Sequence, residues 1–144
     1  MSGRIDLDKK FKLKNSHLKV FVDEFMYWVD KYGMKDWEIV FSLTNTAEHD
    51  YNKVRADIGV DHEGKIAVVR LDKEWDGMDP SEHNLKRCAY HEATELLISK
   101  FVDICRSRTV TVAEIEEQSH RIIRILENVQ FEPDYKTRKR KKNK

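Results

Sequence analysis

Three side chains able to bind a metal ion or move a proton, His91, Glu92 and Glu95, stand within the five residues HEATE. On a helix, positions i and i+4 point the same way and an adjacent residue lies about 100° around, so His91 and Glu95 share a face with Glu92 beside it. An imidazole and a carboxylate on one face are two ligands for a divalent cation. A second carboxylate next to them suits proton transfer to and from water at that ion. The same residues also suit an ordinary i,i+4 contact at the rim of a core, and HExxE alone is short enough to arise by chance.

The segment that carries them reads as a central helix. Cys88, His91, Glu95, Ile98, Val102 and Cys105 form a seam with steps of three and four, and all but His91 and Glu95 are apolar. Leu85, Ala89 and Leu96 line a second side, and Tyr90, Leu97 and Phe101 a third. A carboxylate on such a helix must take up a proton or find a cation. The two cysteines read as reduced core thiols. Their separation of about 25 Å on one helix rules out a disulfide between them.

His-Glu-x-x-His on a helix is the zinc-protease signature, in which two histidines hold the ion and the intervening glutamate acts on its water. Here Glu95 stands at the second histidine. A third ligand in such sites comes from a following helix, where this chain offers His120. His91, Glu95 and His120 then restore two imidazoles and one carboxylate around Zn²⁺, with Glu92 as general base for peptide hydrolysis. If Ile115, Ile122, Leu126 and Val129 face inward, His120 projects off centre and Glu116 lies closer to the apolar arc, which makes Glu116 the reserve ligand. His17, His49, His62 and His83 read as surface histidines, with His83, two turns before His91, also placed to lie near a substrate.

The elements that position these residues follow from periodicity and punctuation. Leu18, Phe21, Val22, Phe25, Trp28, Val29 and Tyr32 repeat at helical spacing between Ser16 and Gly33. Trp37, Ile39, Phe41 and Leu43 alternate as a half-buried strand does, as do Val54, Ala56, Ile58 and Val60. Residues 53–71 read as a hairpin turning at DHEGK, with Gly64 taking positive φ. Asp79, Pro80 and Glu82 mark the start of the motif helix, expected to run from Pro80 to Cys105, and Thr111 with Glu114 caps a last helix to about Val129. The order implies an α+β domain: an N-terminal helix, a three-stranded antiparallel meander covered on one face, the long motif helix and a C-terminal helix.

A chain of 144 residues, 40% hydrophobic, buries one core. The expected division is an N-terminal extension over 1–15, a domain over 16–131 and a tail over 132–144. No apolar run resembles a signal peptide or approaches the roughly 18 residues of a membrane span, so the expectation is a soluble, cytoplasmic protein. The net charge of +1 hides a split: KTRKRKKNK holds seven basic residues, which leaves 20 basic against 26 acidic elsewhere, about −6. Such a tail is expected to be disordered and solvated, and able to touch nucleic acid nonspecifically.

DWEIVFSL, KVRADIG, KIAVVRLDKEW, AYHEATELLI and HRIIRILENV, in this order, resemble the small phage- and prophage-encoded zincin-like metallopeptidases and, more distantly, SprT-like metalloproteases. The resemblance covers roughly residues 16–130 and implies a minimal zincin-like fold, a zinc ion and a peptide or protein substrate. In that family the last helix opens on a ligand glutamate where this chain has His120. The departures at 95 and 120 are therefore reciprocal, histidine to glutamate and glutamate to histidine, as in a site that is kept. The alternative is a catalytically inactive zincin-like binding or regulatory protein whose basic tail engages a partner or nucleic acid.

Overall fold

The computed structural model describes residues 8–46, 48–49 and 52–142. Residues 1–7 of the expected extension, 143–144 of the tail and the His49 side chain lie outside the described residues. The architecture is α+β. A three-stranded sheet of β2 (Glu38–Thr44), β5 (Ala56–Asp61) and β6 (Ile66–Asp72) is covered on one face by α1 (Asn15–Lys31) and α2 (Glu82–Arg106).

β6 is the central strand. Its antiparallel partner is β5, but β2 lies parallel to it, Glu38 opposite Ile66 and Thr44 opposite Asp72. The sheet is therefore mixed, and the expected antiparallel meander is corrected. A parallel neighbour needs a crossover, and the chain from Thr44 makes one by way of β3 (Glu48–His49), β4 (Asn52–Lys53) and the whole of β5. Ala67, Val69 and Leu71 point to the helices and are buried, whereas Val68 and its neighbour Val40 face outward.

The hairpin turn also differs in detail. Lys65, not Gly64, takes positive φ, at 51°. Gly64 is close to the Asp61 side chain instead: a Cβ there would stand 2.9 Å from Asp61 Oδ2, which would have to move.

α1 buries Phe21, Phe25 and Val29 and stops where Gly33 takes φ 71°. Phe25 meets Phe41 of β2 edge-on at 5.2 Å, and Trp28 meets Tyr90 of α2 at 4.8 Å. α2 begins two residues later than expected: Ser81 is the cap, its Oγ accepting from Asn84 N–H at 3.2 Å, while Asp79 binds the Asn84 side chain.

Part of the expected extension belongs to the domain. β1 (Lys10–Lys12) pairs with β7 (Glu74–Asp76), setting Phe11 opposite the buried Trp75. At the other end, α3 (Val112–Leu126) carries the expected Thr111–Glu114 capping box and passes through a π-helical turn, Glu127–Phe131, into α4 (Glu132–Lys142). The tail expected to be disordered is thus helical over those eleven residues, all of them exposed. No helix among the described residues is long and apolar enough to cross a membrane.

Candidate metal centre

α2 turns Leu85, Ala89, Glu92 and Leu96 into the core, with Ala93 and Leu97 buried beside them. The steps of four, three and four from Leu85 to Leu96 continue one stripe down the helix. In the seam expected to be buried, Cys88, Ile98 and Val102 are half-buried, whereas the His91 and Glu95 side chains lie at the surface, 69% and 49% exposed. Its last residue, Cys105, is exposed as well, and both cysteines are free thiols. The buried polar residue of the motif is Glu92, at 4% exposure.

The three side chains converge. One donor atom each from His91, Glu92 and Glu95 lies within 4.8 Å of the other two. His91 Nε2 and Glu95 Oε1 are 3.3 Å apart. Bonds of 2.0–2.1 Å in a tetrahedral zinc site place ligand atoms about 3.3 Å from one another, so this pair has the separation of two zinc ligands. Glu92 Oε2 is buried without a hydrogen-bond partner, as an acceptor awaiting a proton or a cation would be. The residues present therefore fit a divalent cation: one imidazole and one carboxylate open to solvent, and a second carboxylate reaching them from the core side.

Burial, followed by the nearby carboxylates of Glu95 and Asp57, pushes the Glu92 carboxyl up to about 8. Asp57 itself is held on the sheet by Arg70, whose Nε donates to Asp57 Oδ1 at 2.8 Å. Cys88, one turn before Glu92, is pushed up to about 12, chiefly by burial and then by the Glu92 charge, so its thiol stays protonated and inert.

His120 and Glu116 lie outside this cluster. Both are exposed on α3, which sets Gln118, Arg121 and Ile125 toward α2 instead; Arg121 Nη2 donates to the Leu97 carbonyl oxygen at 3.3 Å. The imidazole that does leave the surface is His62. Its side chain is 16% exposed, its Nε2 lies 3.0 Å from Asp103 of α2, and Trp37 meets its ring edge-on. His17 is equally engaged, its Nδ1 accepting from Lys14 N–H at 2.9 Å at the start of α1.

β5 is the edge of the sheet nearest the motif, since among the described residues it pairs only with β6 while α2 packs beside it. Between the chain entering β5 and the first half of α2 is a cleft of about 430 Å³, lined by Arg55, Arg87, His91 and Glu92 among others. Arg55 carried no signal in the sequence, because nothing local distinguishes it from the other basic residues of a highly charged chain. No family model, curated protein or solved structure matches this chain.

Proposed function

We propose that the chain is a zinc-dependent peptidase in which His91 and Glu95 hold the ion and Glu92 is the acid–base group. The observation that carries this reading is Glu92: a buried carboxyl with an unpartnered oxygen, within 4.8 Å of two exposed metal-ligating side chains. The chemistry a bound Zn²⁺ supplies is polarisation of a substrate carbonyl and a lowered pKa for water.

Glu92 takes the proton of the attacking water and returns it to the leaving amine as the C–N bond breaks, giving a carboxylate and an amine. Without an ion, burial holds that carboxyl at about 8; a cation at His91 and Glu95 draws it down, which frees the carboxylate to accept a proton. The substrate main chain is proposed to pair with the free edge of β5. β6, ending at Asp72, is the central strand and offers no free edge for that role.

A second reading is favoured by the same cluster: Glu92 is itself the third ligand, and the protein binds its cation without hydrolysis. The two separate on one variant. In the peptidase, Glu92→Gln keeps Zn²⁺ and loses cleavage of a casein or peptide-library substrate; in the binding protein, Glu92→Gln loses Zn²⁺ and the wild type cleaves nothing. Wild-type cleavage that survives Glu92→Gln removes the proposal.

A further inference from the structure

Among the described residues, three buried side-chain polar atoms have no hydrogen-bond partner: Arg55 Nε, Asp76 Oδ1 and Glu92 Oε2. They belong to one neighbourhood, since Arg55 and Glu92 line the same cleft and Arg55 Nη2 reaches the Asp76 main-chain oxygen at 3.4 Å. Folded proteins leave few such atoms, and each marks a place where water, an ion or a ligand completes the bonding. A cation held beside Glu92 accounts for the last of the three and leaves two, Arg55 Nε and Asp76 Oδ1, of which Arg55 is the one that lines the cleft.

Arg55 is held in place by its main chain. Its carbonyl oxygen accepts from Asp72 N–H at 2.9 Å and from Trp75 Nε1 at 3.2 Å, both on segments locked into the sheets. Its half-buried guanidinium makes no ion pair with a carboxylate among the described residues; Arg87, on the α2 side of the cleft, makes none either but is exposed. Arg70, one strand away, shows the alternative, forked onto Asp57. A guanidinium kept partly from water without a counter-charge is unfavourable, and its planar fork of donors matches a carboxylate.

We propose that this cleft binds a carboxylate of the peptide substrate, with Arg55 as its anchor and Arg87 at the rim, so that the adjoining peptide group lies over His91, Glu92 and Glu95. That the carboxylate belongs to a peptide rests on the peptidase reading. Its capture by Arg55 does not need the ion. The carboxylate comes either from the chain terminus or from an Asp or Glu side chain.

The test is isothermal titration of the full chain, both metal-free in chelator and zinc-loaded, with acetyl-dialanine, its carboxamide and acetyl-alanyl-glutamyl amide. The metal-free arm cannot hydrolyse these probes. The free acid or the glutamyl amide is expected to bind about tenfold or more tightly than the dialanine amide, because each places a charge-assisted pair on Arg55. Whichever of the two binds identifies the source of the carboxylate. Arg55→Gln should reduce that probe to the affinity of the dialanine amide, and Arg55→Lys should restore part of it. Arg87→Gln, at an exposed position that places no demand on folding, should weaken it about threefold.

Equal binding of all three probes by the wild type overturns the proposal, as does an Arg55→Gln chain, folded by circular dichroism, that binds like the wild type. A wild type that takes up no zinc on loading, yet still discriminates among the probes, sustains the carboxylate site and ends the peptidase reading instead.

Discussion

A carboxylic acid placed as Glu92 is gains by keeping its proton until a cation arrives. Water is excluded, Glu95 and Asp57 add negative charge, and one oxygen has no donor. Because its carboxyl is raised from 4.5 to about 8, the folded chain holds a proton between those values that the unfolded chain has released. Stability from this group is therefore complete below about pH 4.5 and is lost as pH rises through about 8. The metal-free wild type should show a melting temperature that falls across this window more steeply than that of Glu92→Gln, which has nothing to titrate there; parallel profiles in thermal scans would contradict the account. Zinc should flatten the wild-type slope, since a cation beside Glu92 favours its deprotonated carboxylate. Types and spacing in HEATE made the cluster legible from the sequence. Its orientation was not, because two stripes with the same alternation of threes and fours run down α2, and tertiary packing buried the one through Leu85, Ala89, Glu92 and Leu96.

The elements that hold the site depend on one buried residue without chemistry of its own. Asp72, fully buried at the end of β6, accepts from Thr46 N–H at 2.9 Å, Thr46 Oγ at 2.7 Å and Glu74 N–H at 2.8 Å. It ties the exit of β2 to the start of β7, and the Arg55 carbonyl accepts from its N–H. Asp72→Ala would leave those donors unsatisfied and should cost about 3 kcal/mol or more, which for a domain of this size lowers the melting temperature by roughly 10 °C. An unchanged melting temperature by differential scanning calorimetry would show that the network is not structural. Local patterns were sufficient for α1, α3 and the β5–β6 hairpin, whose periods and caps are written in consecutive residues. They could not reveal that β2 runs parallel to β6 or that β1 pairs with β7, because pairing partners distant in sequence leave no local mark, and a three-residue strand has too few side chains to show alternation.

At the scale of the molecule, α1 and α2 form with the sheet the body that carries the site, and the helical run from Val112 to Lys142 leaves it. Ile125, Leu126 and Val129 still pack against the core, whereas every residue of α4 is exposed. Removing residues 132–144 should therefore shift the melting temperature by less than about 2 °C while abolishing any retention on a nucleic-acid column at low salt; a larger shift would mean that α4 supports the fold. The helical conformation of this segment was not legible from its charge-rich composition, which solvated tails and exposed helices share. His120 is exposed on α3 and lies outside the cluster, so zinc uptake should not need it, and His120→Ala should bind the ion like the wild type. The most direct test of the account is the zinc content, by elemental analysis after loading and exhaustive dialysis, of the wild type and Glu95→Ala. It predicts one equivalent in the wild type and a loss of tenfold or more in affinity on removing Glu95; a wild type that retains no zinc, or a Glu95→Ala chain that retains as much, would contradict it.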